Sequence, residues 1–413
     1  MNKDFYNSVK NELFSNILPY WDKFSRDLEN PGFYGEIDNN NIQNKEIDRS
    51  IVMTSRFLWT YSTVARLTKN SDFLQMADFA YDVICKKYWD KNNHGVFWSV
   101  FPNGNPCVSK KQIYGEAFCC YGLSEYAAAT KELRKDNAKS ENAMNLAVEI
   151  FELIEKYALD KKNGGYIEAL AEDWKPTNDL ILSDKDMNCP KSMNTNLHVM
   201  EAYTNLYRTL PVVFADKLEL KSRVGNSLKN LVLITVEKIL QKNAHLGLFF
   251  DMDWNLLETE ISYGHDIEAS WLLWEAAEEL KDERLKSQIR ETVLKIAEVS
   301  LEEGTDKESG AMENFLKDGV KDRTRVWWNQ AEALNGFYNA WEMTGDEKYK
   351  NACLSQWDWI INHQVDKIGG EWWANIDVNG NPDLKEPKGG NWKTSYHSAR
   401  GCMELLRRSN FLA

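Results

Sequence analysis

A short pattern recurs six times along the chain, and few folds accommodate a unit repeated that often. Each copy sets glycine before aromatic or apolar residues and closes on an acidic or turn residue. The copies are GFYGEID from Gly32, GVFWSVFPNGNP from Gly95, GGYIEALAEDW from Gly164, GLFFDMDWN from Gly247, GAMENFLKDG from Gly310 and GGEWWANIDVNGNP from Gly369. They lie about 60 to 80 residues apart, the size of one supersecondary unit in a repeat architecture. Between them the spacing is helical. Leu197, Met200, Tyr203, Leu206 and Leu210 fall three or four apart and mark one apolar stripe. Phe118, Tyr121, Leu123 and Tyr126 form a second, and Ile267, Trp271 and Trp274 behave similarly. Each interval holds two helices of ordinary length plus their connections. Six such pairs with short β-hairpin loops predict an all-α fold, an (α/α)6 barrel occupying residues 1–413 as a single domain, with inner helices around a pocket. An open helical solenoid would use the same units; the six-fold count favours closure.

Charge and motifs then narrow the function. A formal net charge of −13 argues against nucleic acid and anionic membranes as partners. The opening MNKDFYNSVKNELFSNILPYWDKF has no apolar run long enough for a signal peptide and reads as an amphipathic helix; no later stretch could span a bilayer. The seven cysteines are scattered and form no CxxC pair, which suits reduced thiols in the cytoplasm. HExxH, EF-hand, GxxxxGK[ST], GxSxG and GxGxxG patterns are all missing, so neither a metal nor a cofactor is expected. The unusual feature is aromatic content: 16 Trp, 17 Tyr and 17 Phe. They either fill a large core or line a carbohydrate pocket, where apolar sugar faces stack on the rings. Composition leaves both open. A monomer is expected, with a homodimer as the alternative.

Six histidines remain as proton-transfer candidates. His265, in SYGHDIEASWLL, stands where a helix begins, and a helix N-terminus disfavours imidazolium. Glu268, three residues on, shares its face and could orient the ring; simple helix capping is the competing role. His198, in MNTNLHVMEAY, lies beside an apolar stripe and reads on its own as a core histidine. His397, in WKTSYHSARGCMELL, is near another helix start, with Trp392 and Arg400 close in sequence. His94 and His245 fall in the turns and are expected to be solvated; His363 follows a helix end as an ordinary cap. Arg56 in TSRFLWTYS is a guanidinium in an apolar helix and needs a partner or a pocket. Tyr114 in KKQIYGEAF is equally ambiguous. Trp327 and Trp328 point to two helix faces, so that one reaches the interior. Core packing competes with function at each.

The stretches SRFLWTYS, YGEAFCCYGLSEY, KSMNTNLHVMEAYTNLYR, SYGHDIEASWLL, RVWWNQAEALNGFYNA, GGEWW and WKTSYHSARGCMELL resemble, in order and spacing, the N-acylglucosamine 2-epimerase superfamily, most closely its cellobiose 2-epimerase branch. The resemblance extends from about residue 10 to 408 and also implies an (α/α)6 barrel. It implies that His265 and His397 exchange protons with the two faces of a sugar C2, and that His198 assists opening of the pyranose ring. Arg56, Tyr114, Asn194 and Glu268 match pocket residues that hold sugar hydroxyls and the enediolate oxygen. Trp328 and Trp392 match stacking positions, and Asp186 matches a polar residue near a second sugar unit. The implied activity is epimerisation of the reducing-end glucose or mannose residue of β-1,4-linked disaccharides. Monosaccharide epimerisation or aldose–ketose isomerisation on the same fold is the alternative. The chain departs from the family pattern at Gln112 and Asn196, where relatives commonly carry histidine, and in TSYHSAR, where CPYHNGR is usual.

Overall fold

The computed structural model describes residues 1–412. Among them are thirteen α-helices: α1 (Lys3–Asn11), α2 (Leu18–Phe24), α3 (Ile51–Thr68), α4 (Leu74–Val83), α5 (Ile113–Arg134), α6 (Asn137–Tyr157), α7 (Met193–Val213), α8 (Leu218–Ile234), α9 (Tyr263–Leu280), α10 (Glu283–Glu303), α11 (Trp327–Thr344), α12 (Glu347–Trp359) and α13 (Ser395–Arg408). A π-helical segment, Glu12–Ile17, joins α1 to α2. Helices α3, α5, α7, α9, α11 and α13 are buried nearly all round and pack side by side in that order, and α13 returns to α3. Behind them pack α1–α2 and the even-numbered helices from α4 to α12, each with a single buried stripe. The ring is closed, an (α/α)6 barrel, and the open solenoid is excluded. No described helix is long and apolar enough to cross a membrane.

The two ends of the barrel are built differently. At one end the helices of a pair join through tight turns whose sequence explains them. Lys69, Lys135, Lys281 and Gly345 close α3, α5, α9 and α11 in the left-handed conformation. Asp136, Asp282 and Asp346 then cap the helices that follow by accepting backbone N–H groups.

At the other end lie the six glycine segments. The strand leading into each inner helix pairs antiparallel with the turn of the next unit. Arg49 pairs with Val100, Gln112 with Ala169, Ser192 with Phe249, Ser262 with Phe315 and Val326 with Asn375, while Gly389 pairs with Ile37 and closes the ring. The turns share a buried ion pair. Asp90, Asp160, Asp306 and Asp366 each accept backbone N–H groups two and three residues on. Their second oxygens meet Lys111 (2.9 Å), Lys191 (2.6 Å), Arg325 (3.3 Å) and Lys388. Desolvation offsets much of the attraction in a buried pair of this kind, so its net stabilisation is small. In the Gly247 copy Gln241 stands where the aspartate would be.

Candidate functional site

The inner helices all begin at the hairpin end, so their first turns converge there. Counted from each helix start, the sixth residues are Arg56, Phe118, His198, Glu268, Glu332 and Arg400. Second residues include Tyr114, Asn194, Trp328 and Tyr396, and the third residues of α9 and α13 are His265 and His397. Positions two and six are one turn apart on one face. Six-fold repetition therefore directs all of them toward the barrel axis.

His265 and His397 both pack near the Trp328 indole, with ring centroids 4.7 and 5.9 Å from it. Gly264 makes room for that ring: a Cβ there would sit 2.7 Å from the Trp328 edge. Each histidine is tied through Nδ1, His265 to Ser262 Oγ at 2.7 Å and His397 to Glu332 Oε1 at 2.7 Å. His198 is tied through Nδ1 to Glu201 Oε2 at 2.8 Å and packs against Tyr114 and Phe118, each at 5.0 Å. Nε2 is then the nitrogen each ring can turn to a ligand.

Burial pushes the His265 imidazole down to about 3, with His198 adding to the effect. Burial, with Arg56 and Arg400 nearby, holds His397 well below the ordinary histidine value. Burial also lowers His198, outweighing the attraction of Glu201. All three are therefore neutral near pH 7 and can accept a proton.

Two arginines supply fixed positive charge. Arg400 is 1% exposed and gathers the carboxylates: it bonds Glu201, Glu268 (2.5 Å), Glu332 (2.7 Å) and the Tyr396 hydroxyl (2.5 Å). Burial opposes ionisation of Glu201, yet Arg400 and His198 bring it down to about 2. Burial and the neighbouring Glu332 raise Glu268 well above the carboxylate range, and burial also raises Glu332. Glu268, Glu332 and His397 bring three possible ligand atoms within 4.8 Å of one another, but the Arg400 guanidinium sits against both carboxylates. Arg56, by contrast, meets only neutral groups among the described residues. It donates to the Trp392 carbonyl (2.7 Å) and the Tyr114 hydroxyl (3.1 Å) and lies over the rings of Phe118 (4.6 Å) and Tyr396 (5.0 Å). Its charge is thus left for an anion. The Asn194 carbonyl oxygen is buried without a partner, a free acceptor on the same ring of positions.

Beside this pocket opens a cleft of about 350 Å³ lined by Trp98, Trp392 and Leu182–Asp184. Trp392 is 37% exposed and lies 6.0 Å from Trp98 and 5.9 Å from Tyr114. Asp186 sits in the same loop as Leu182–Asp184, takes a hydrogen bond from Ser183, and is raised by burial.

Two expectations need correction. Glu268 does not orient His265: it is turned across the axis to Arg400, and Ser262 holds the histidine instead. His245 is not solvated. It is buried with Nδ1 2.7 Å from Asp266, because its one-residue-shorter turn folds it inward. Asn196 and Gln112 also find places. The Asn196 amide bonds the Tyr166 backbone of the Gly164 turn at both ends, while the buried Gln112 amide has no partner. Glu201, Glu332 and Trp98 were not singled out from sequence, nor was Arg400 as a charge partner; the sixth-position register would have pointed to Glu332 and Arg400.

Residues 32–401 match the model of the N-acylglucosamine 2-epimerase (GlcNAc 2-epimerase) family. The chain is 39% identical over 400 residues to a cellobiose 2-epimerase of Bacteroides fragilis, covering 96% of this chain and 97% of that one. The structure of cellobiose 2-epimerase from Bacillus thermoamylovorans superposes with a TM-score of 0.89 at 34% identity, over 98% of this chain and all of the other. A D-mannose isomerase structure, at 18% identity and a TM-score of 0.80 over 98% of each chain, shares the fold.

Proposed function

The chain belongs to the N-acylglucosamine 2-epimerase family and is a carbohydrate 2-epimerase, and from that premise we propose that His265 and His397 invert C2 of the reducing-end residue of a β-1,4-linked disaccharide. The observation that carries this reading is the pair of neutral, Nδ1-tethered imidazoles gathered at one indole. His198, tethered to Glu201, moves a proton as the hemiacetal opens to the aldehyde. One of His265 and His397 then removes the C2 proton. Arg56, without a carboxylate partner, stabilises the enediolate oxygen; fixed charge of this kind is commonly the largest single contribution. Tyr114 and Asn194 hold hydroxyls, and Glu268, kept protonated by its burial, is a donor. Rotation about C2–C3 presents the opposite face, and the second histidine returns a proton.

The disaccharide preference is supported by the relatives named cellobiose 2-epimerase and by the aromatic cleft next to the histidines. The Trp392 face suits the apolar side of a second ring, and Asp186, bonded by the cleft residue Ser183, takes its hydroxyls in this reading. The same reading treats the whole chain as one catalytic domain acting in the cytoplasm, as a monomer or homodimer. Its cysteines are all free thiols. Comparing kcat/KM for cellobiose, mannobiose, glucose, mannose and N-acetylglucosamine tests the preference. Cellobiose or mannobiose should lead. A leading monosaccharide refutes the disaccharide assignment, and ketose as the main product refutes epimerisation in favour of isomerisation.

A further inference from the structure

The fourth residue of an inner helix clamps the turn of the hairpin beneath it. Glu116 accepts the Val96 N–H (2.9 Å), Asn196 that of Tyr166 (2.8 Å), Asp266 that of Leu246 (2.8 Å) and Gln330 that of Met312 (3.0 Å). The amides of Asn196 and Gln330 also donate to a carbonyl of the same turn, so those clamps are complete in themselves. Glu116 leaves its second oxygen unpartnered. In the α11 unit the Gln356 amide adds a bond to Gln330 (2.8 Å), and in the unit that carries His265 an ionisable side chain completes the clamp. The second Asp266 oxygen is taken by His245 Nδ1 at 2.7 Å, and His245 Nε2 reaches Glu303 of α10 at 3.4 Å.

Asp266 is fully buried and follows His265 directly in the chain. The His265 ring itself has one tether, Ser262, so its placement depends on the first turn of α9. We propose that His245 is a positioning residue for His265. By holding Asp266 it fixes that turn, and with it the angle from which His265 faces the sugar C2. This rests on the two-base reading above. Displacing a reacting group by a fraction of an ångström slows its own step far more than it weakens substrate binding. Removing His245 should therefore impair proton abstraction from one epimer, the one whose C2–H faces His265, and spare abstraction by His397.

The test uses both epimers of the disaccharide deuterated at C2, with His245→Ala and His245→Asn. Asparagine places an N–H near the position of the lost Nδ1 donor. The Ala variant should lower kcat about tenfold with KM nearly unchanged, and raise the primary isotope effect in one direction only. The Asn variant should recover kcat to within about threefold of wild type. If the Ala variant does not fold, Asp266→Asn should show the same one-directional isotope effect. Because the equilibrium constant is fixed, kcat/KM falls equally in both directions; wild-type kcat in a folded Ala variant, or an isotope effect raised equally in both directions, overturns the positioning role alone. A wild-type enzyme that never exchanges the C2 label overturns the positioning role together with the two-base reading.

Discussion

Replacing Arg400 with methionine keeps most of its bulk and removes the charge on which the site is organised. The guanidinium contacts Glu201, Glu268 and Glu332 while 1% exposed, so the variant leaves buried carboxylates without a cation. Breaking such a pair costs about 3–5 kcal/mol. With an unfolding entropy near 2.1 cal/mol/K per residue, a chain of this length loses roughly 5 °C of Tm for 4 kcal/mol. The pH dependence has a definite sign. Glu201 is held down to about 2 in the folded state against an ordinary 4.5. Its contribution is thus present above the ordinary value and lost as pH falls through the folded one. The deficit of Arg400→Met should be largest near pH 7 and shrink toward pH 3. Differential scanning calorimetry across that range measures it, and Glu201→Gln added to the variant should restore part of the loss. Arg400 also lowers His198 and His397, so the acid limb of kcat/KM should move to higher pH. A Tm within about 1 °C of wild type at pH 7, or a deficit independent of pH, would refute the charge argument.

His265→Ala and His397→Ala should each lower turnover by about 10²–10⁴-fold or more with the circular dichroism spectrum retained; full activity in either removes the two-base assignment. Trp392→Ala should reduce kcat/KM for cellobiose about tenfold and leave that for glucose little changed; equal losses would place the indole outside any second-ring contact. Glu116→Gln should stabilise the protein at neutral and alkaline pH. Burial raises Glu116 to about 8, so the wild type is favoured below the unfolded value and loses that advantage as pH rises to 8. The gain should be on the order of 3 kcal/mol at pH 7 and vanish below about pH 4.5, read by urea titration at both pH values.

The barrel was legible because each unit repeats its own glycine turn, and six copies of a helix pair have few ways to close. The helix stripe of Leu197, Met200 and Tyr203 was legible for the same local reason, since side chains three and four apart share a face. What sequence spacing could not supply is the partner across the axis. Glu268 stands three residues from His265, which suggested a local pair; its sixth-position register instead aims it at Arg400, 132 residues away. His397 likewise finds Glu332, 65 residues distant, and Arg400 finds Glu201, 199 residues distant. His245 was misjudged because turns are ordinarily wet, and only the shorter turn in its unit brings it under Asp266. Trp98 belongs to a hairpin whose aromatic content fits core and cleft alike; the ring closure between units decides which.

Turnover of cellobiose in D2O, followed by NMR, tests the two-histidine mechanism most directly. The histidine that returns the proton carries one drawn from solvent, so deuterium should accumulate at C2 of the epimerised product, one atom per inversion, with none at C1. Product that retains its original C2 hydrogen, or a ketose labelled at C1, would contradict the proposed chemistry.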